Sequence, residues 1–201
     1  MTSGGPAEIP GGDADDAARE VFGDRFDLAV GYARLLAGDG VAHGHLGPRE
    51  VPRLWSRHLV NCALVADLLP PGASVVDVGS GAGLPAIPLA IRRPDLTVTA
   101  VEPMLRRVVF LEHVVSALGL PNARVVRGRA EDATVSAQLG RAPWVTARAV
   151  APLDRLVRWC LPLLGPGGRL LALKGRSAST EVHAAEREIV RCGGRVVGGA
   201  A

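Results

Sequence analysis

The chain is short of everything that would build a metal centre, a membrane anchor or a disulfide scaffold. Its three cysteines, Cys62, Cys160 and Cys192, lie far apart, and none stands in a CxxC or Cys/His spacing. That pattern excludes a zinc ligand set and reads as three reduced, mostly buried thiols. No uninterrupted apolar run reaches the roughly 18 residues a membrane span needs. The opening MTSGGPAEIPGGDADDAARE has neither a basic segment nor an apolar one after it, so a signal peptide is not expected and the cytoplasm is. Lysine is nearly missing: Lys174 is the single one, against an arginine-rich background. With a formal charge of +3 and a pI of about 9.1, an anionic partner is permitted without being demanded.

What is present is enough for one well-buried α/β domain. The chain has 201 residues, 48% of them hydrophobic and 21% charged. Residues 1–18 read as a Gly/Pro/Asp-rich tail. Residues 19–201 read as one domain, with a helical extension over 19–71 and an α/β core over 72–201. In the extension, Trp55, Leu59, Cys62, Ala66 and Leu69 recur at helical spacing until Pro70 and Pro71 end the pattern.

The period then changes. SVVDVG, LTVTAVE, ARVVRGRA, PWVTARA and RLLALKG are short apolar strands, each followed by a helical stretch. In PMLRRVVFLEHVVSALGL the apolar side is formed by Leu105, Val108, Val109, Leu111, Val115 and Leu118. APLDRLVRWCLPLLGPGG reads as a helix closed by a Gly/Pro turn, and RVVGGAA as the start of a sixth strand. Alternation of this kind predicts a mostly parallel, Rossmann-like twisted sheet with helices on both faces.

Between the first strand and its helix stands VDVGSGAGLPAIPL. No Gly-Lys-Ser/Thr follows the glycines, which removes a P-loop. Gly79 and Gly81 match the dinucleotide fingerprint, but its third position falls on Leu84 and the third glycine is Gly83, giving GxGxG rather than GxGxxG. Asp77, two residues before the first glycine, would repel a phosphate at the helix start. S-adenosylmethionine carries an ammonium and a sulfonium and no phosphate, so it suits this acidic entry better than a nicotinamide dinucleotide does. Glu102, ending the second strand, is placed to accept hydrogen bonds from ribose hydroxyls, a role compatible with either ligand.

After the fourth strand, WVTARAVAPL holds neither an Asn/Asp-Pro-Pro-aromatic motif for gripping an exocyclic amine nor a cysteine beside proline for carbon methylation. Arg148 stands there instead. A ring nitrogen with its own lone pair, such as guanine N7, attacks a methyl group without first losing a proton, so positioning alone can serve it.

Taken together, VVDVGSGAGLPAIPLA, GRAED, TARAVAPL, LALKG and the upstream LWSRHLVN resemble the RsmG (GidB) family, bacterial methyltransferases of guanine N7 in small-subunit (16S) ribosomal RNA. The likeness runs from about residue 20 to 195. It implies a Rossmann-like methyltransferase fold with an N-terminal helical extension, S-adenosylmethionine as donor, no metal, and 16S rRNA of the small ribosomal subunit as partner. A monomer is expected.

By position, the resemblance puts donor contacts on Gly79, Leu84, Ala130, Glu131 and Arg148, beside Gly81, Gly83 and Glu102 of the loop and second strand. Ala130 and Glu131 would flank the adenine. Arg57 and His58 match the family's Arg-His pair, and with Arg106, Arg107 and Lys174 they are expected to contact RNA. The chain departs from many members at Asn61-Cys62, where they carry Asp-Ser. It also departs after RVVGGAA, where the family's sheet finishes with an antiparallel hairpin. Two rivals remain at this level: a small-molecule methyltransferase, and a non-catalytic RNA-binding assembly factor on a methyltransferase fold.

Overall fold

A computed structural model describes residues 13–148 and 150–198. Helix α1 (Asp13–Phe22) is followed by α2 (Phe26–Leu35). A short helical turn, Pro48–Arg53, leads into α3, an irregular helix of three consecutive pieces: Leu54–Val60 is wide and π-like, Asn61–Leu64 is α-helical, and Val65–Leu68 is tight. Then β1 (Ser74–Val78), α4 (Ala86–Arg92), β2 (Thr97–Glu102), α5 (Leu105–Ala117), β3 (Ala123–Arg127), α6 (Ala133–Leu139), β4 (Ala142–Arg148), α7 (Leu153–Cys160), β5 (Leu164–Leu173) and α8 (Ala178–Arg191) alternate.

The five strands form one sheet in the order β3-β2-β1-β4-β5, every pair parallel. From the central strand β1 the chain first builds outward through β2 and β3, then returns to start β4 on β1's other side. Strand order therefore reverses between β1 and β4. At such a reversal the connecting loops diverge and leave a crevice over the carboxyl ends of the strands. The glycine loop and Arg148 both emerge there.

The inner strands β1 and β2 are rich in β-branched residues and almost wholly buried because both faces of the sheet are covered there. On one face, α1, α2 and α3 share a single apolar cluster with α4, α5 and the sheet: Tyr32, Leu36, Leu54 and Leu59 pack together with Ile87, Ile91 and Leu111. All five apolar positions at helical spacing in the extension, Trp55, Leu59, Cys62, Ala66 and Leu69, are buried as the sequence predicts. On the other face, Val145, Leu156, Val157, Cys160 and Ile189 anchor α7 and α8.

Four details differ from the sequence reading. The first helix begins inside the segment read as a tail: residues 13–18 are helical and Ala18 is fully buried, while residues 1–12 lie outside the described residues. In α5, Leu105 and Val109 are 53% and 55% exposed, whereas Phe110 and Val114 are buried, so the buried stripe is rotated from the one expected. The Gly/Pro turn GPGG closes no helix and lies within β5, where Ala142 pairs with Leu164 but Trp144 pairs with Arg169, so the intervening residues bulge out. A Cβ on Gly168 would stand 3.0 Å from the Gly165 oxygen and 3.1 Å from that of Ala142, which is why the bulge needs glycine. Arg195–Gly198 form no strand, and Val196 and Val197 are exposed; the remainder of RVVGGAA lies outside the described residues.

Candidate active site

The glycine loop is built from three directions. Its own backbone folds tightly, with Gly83 N and Leu84 N donating to Ser80 O at 2.7 and 3.1 Å. From β2, Val101 O accepts from Gly79 N at 2.9 Å and from Ser80 N at 3.1 Å. From α2, the Tyr32 hydroxyl donates to Ala82 O at 2.8 Å. Gly79, Gly81 and Gly83 have φ of +69°, +62° and +104°, a region L-residues avoid. Two of these positions are also crowded. A Cβ on Gly79 would meet Val150 Cγ1 at 2.8 Å, and one on Gly83 would meet Ile87 Cγ1 at 2.6 Å and Tyr32 Oη at 2.9 Å.

Two acids brace this loop from beneath. Asp77 is fully buried at the end of β1, and Thr146 of β4 donates its hydroxyl to Asp77 Oδ1 at 2.9 Å. Its Oδ2 is buried with no hydrogen-bond partner among the described residues. Burial pushes the Asp77 carboxyl up to about 6. Glu102, 1% exposed, spans two turns: Gly81 N donates to its Oε2 at 2.9 Å and Met104 N to its Oε1 at 3.0 Å. Arg107 Nη1 stands 3.8 Å from the same Oε2. Both oxygens of Glu102 are thus engaged in holding the loop and the 103–104 turn, although each keeps a free lone pair for a further donor.

Arg148 leaves β4 and turns toward the extension. Its Nη1 donates to Cys62 Sγ at 3.0 Å, and its Nη2 donates to Arg57 O at 3.3 Å and to His58 Nδ1 at 2.7 Å. His58 is 7% exposed and reaches Glu50 Oε2 with its other nitrogen at 2.7 Å. Burial holds the His58 imidazole below its usual value despite the Glu50 carboxylate, so at neutral pH the ring is uncharged. Cys62 is pushed up to about 12 by burial, which makes it an inert thiol acceptor.

The other candidates fall around this centre. Leu84 is half-buried at the end of the loop. Ala130 is buried just past β3; Glu131 beside it is exposed, with an oxygen 3.7 Å from Arg129 Nη1. Arg106 is exposed at the start of α5, and Arg57 is exposed on α3, within 3.4 Å of Glu50. His58 faces inward, so an RNA contact through its ring would require breaking with both Arg148 and Glu50. Lys174 is similarly occupied: its ammonium donates to Ala151 O at 2.5 Å and pairs with Glu181 Oε2 at 2.7 Å. Lys174, Glu181, Val150, Ala151 and Pro152 line a hollow open to solvent beside the loop that follows β4. Sequence reasoning missed Tyr32, Thr146 and Glu50. Tyr32 had one signal, being the sole tyrosine of the chain.

The crevice thus offers two carboxylates and a guanidinium, with one buried carboxylate oxygen left unpaired among the described residues. That donor set matches a ligand bearing an ammonium, a carboxylate and ribose hydroxyls, and it opposes a polyphosphate. Among the described residues no group of three His, Cys, Asp or Glu side chains is arranged to hold a metal, and no helix is long and apolar enough to cross a membrane.

Several known proteins are similar to this chain. The Rhodococcus jostii ribosomal RNA small subunit methyltransferase G is 57% identical over 190 residues, covering 94% of this chain and 82% of that relative. The Thermobifida fusca protein of the same name is 61% identical over 176 residues, covering 88% and 73%. Among solved structures, Aeropyrum pernix fibrillarin, crystallised with natively bound S-adenosyl-L-methionine, aligns at TM-score 0.54 and 22% identity over 68% of this chain and 65% of its own, a likeness of fold. The family model for rRNA small subunit methyltransferase G (GidB) matches residues 26–198, and the chain belongs to that family.

Proposed function

We propose that this methyltransferase moves the methyl group of S-adenosylmethionine to N7 of a guanine in 16S rRNA, acting as a cytoplasmic monomer on the small ribosomal subunit or its precursors. The observation that carries the reading is the identity of the group closing the strand-order reversal. Where an amine methylator needs a proton acceptor, β4 ends in Arg148, a permanent cation. N7 keeps its lone pair in the plane of the ring and has no proton to lose, so approach and alignment are the whole of the catalytic demand.

In this reading the donor lies over Gly79, Gly81, Gly83 and Leu84. Glu102 accepts from its ribose, Ala130 and Glu131 flank its adenine, and Arg148 pairs with its carboxylate. The donor supplies an electrophilic methyl on a sulfonium. The chain supplies a fixed cradle and holds the charges that orient the ligand. Arg57, Arg106 and Arg107 lie where RNA phosphates would approach, while Lys174 would have to exchange Glu181 for a phosphate.

The test is transfer of labelled methyl from S-adenosylmethionine to unmethylated small subunits, naked 16S rRNA and a small-molecule panel, followed by cleavage chemistry specific for N7-methylguanine. Label at one guanine of the rRNA is expected. A donor-binding protein that labels no form of the RNA would overturn the proposal.

A further inference from the structure

Among the described residues the guanidinium of Arg148 has no carboxylate partner. Its partners are a thiol, a backbone carbonyl and the His58 ring, and of these only the ring approaches to 2.7 Å. A guanidinium can only donate, so His58 Nδ1 must accept. The ring's single proton therefore sits on Nε2, which donates to Glu50 Oε2 at 2.7 Å. Glu50 thereby selects the one tautomer of His58 that can hold Arg148. The chain of contacts runs from the turn before α3, through a ring that is 7% exposed, to the end of β4.

We propose that Glu50 is a positioning residue for donor binding: it fixes the tautomer of His58, which fixes the direction of the Arg148 guanidinium. This rests on the reading that Arg148 pairs with the donor. Glu50 does not reach the donor itself. Without it, the His58 proton can move to Nδ1, where it points at the guanidinium and the bond becomes a repulsion between two donors. The same happens when the ring takes a second proton. The charged or titratable groups facing the ring are Arg148 from β4, Glu50 from the preceding turn, and Arg57 on its own helix; Arg53 acts more remotely through Glu50. Of these the Glu50 carboxylate alone favours the imidazolium, and the arginines oppose it.

The experiment measures donor KM and kcat for methyl transfer to unmethylated small subunits by the full-length enzyme, across pH, together with the 15N imidazole shifts of His58. The wild type is expected to show His58 as the Nε2–H tautomer. Glu50→Ala is expected to raise donor KM about tenfold, as loss of one partner in a half-buried hydrogen-bonded chain does, with kcat at saturating donor within about twofold. It should also show mixed tautomers. Glu50→Gln keeps an acceptor for Nε2–H, so its donor KM at neutral pH should stay within about threefold of wild type. Its acid limb should move to lower pH, because the carboxylate that favoured protonation is gone.

An Nδ1–H tautomer in the wild type, or a folded Glu50→Ala enzyme with wild-type donor KM, overturns the proposal. If Glu50→Ala does not fold, an unmoved acid limb in Glu50→Gln overturns it. Arg148→Ala separates the two layers. Unchanged donor KM in that variant removes the underlying role of Arg148, whereas a raised KM there with none in Glu50→Ala removes only the role of Glu50.

Discussion

The hydroxyl of Tyr32 lies where a side chain on Gly83 would have to grow. It donates to Ala82 O at 2.8 Å and would be 2.9 Å from a Cβ at the next residue. Helix α2 and the glycine loop are therefore fitted to one another to within a methyl group. Gly83→Ala is expected to lower stability by roughly 2–4 kcal/mol through backbone strain and overpacking, and to abolish measurable donor binding. Tyr32→Phe relieves nothing and leaves the Ala82 carbonyl unpaired, with an expected loss of about 1–3 kcal/mol. Urea denaturation and calorimetric donor titration check both.

At Gly79 the obstacle is removable. A Cβ there meets Val150 Cγ1 at 2.8 Å and Cγ2 at 2.9 Å. Gly79→Ala should destabilise by about 2–3 kcal/mol, from overpacking and from its φ of +69°. In a Val150→Ala background the overpacking disappears and the backbone strain of about 1–2 kcal/mol stays. A double-mutant cycle with full additivity would show that Val150 does not bear on the loop.

Asp77 is held against its own stability. Its carboxyl titrates near 6 in the fold because burial disfavours the charge. A folded value above the unfolded one contributes stability that is complete below the ordinary aspartate range and is lost as pH rises through about 6. Asp77→Asn should therefore stabilise the protein at pH 7–8 by on the order of 1–3 kcal/mol, with the gain shrinking toward pH 4, while donor affinity falls. Thermal melts at several pH values, paired with donor titrations, read both. A variant no more stable than wild type at pH 8 would sink the claim.

His58 behaves in the opposite sense on acidification. Its value is depressed by burial, so its contribution to stability is present above the ordinary histidine range and lost as pH falls through the folded value. Methyl transfer below neutrality should show a rising donor KM before any loss of fold, seen as kinetic inactivation at pH values where circular dichroism is unchanged.

RNA binding should depend steeply on salt. Arg57→Ala and Arg106→Ala, both exposed, should each reduce the slope of log K against log[salt] by about 1 without changing donor affinity. Filter binding of 16S rRNA fragments between low and moderate salt measures it. An unchanged slope in both variants removes these arginines from the RNA contact.

The alternation of strands and helices and the glycine loop were legible in the sequence because their signals are local: SVVDVG, LTVTAVE and the three glycines each announce themselves within ten residues. The partnerships of the site were not. Arg148 meets His58 across 90 residues, and Thr146 meets Asp77 across 69, distances over which composition and periodicity carry no information. Lys174 stands out in the sequence as the single lysine among arginines, but its partners Glu181 and Ala151 emerge only when β5, α8 and the loop after β4 converge. The GPGG bulge was misread because Gly and Pro mark both a helix end and an irregular strand, and only the pairing with β4 separates the two.

The apolar cluster joining Tyr32, Leu36, Leu54 and Leu59 to Ile87, Ile91 and Leu111 has an evolutionary consequence. The helical extension is not a detachable recognition module that could be traded between enzymes. Its buried side chains pack in one cluster with those of the α/β layer, so a chimera joined near residue 71 would pair two surfaces not fitted to one another. A change of substrate is therefore more readily made by single substitutions on the outer faces than by exchanging the extension, whose seam with the sheet would have to be rebuilt whole.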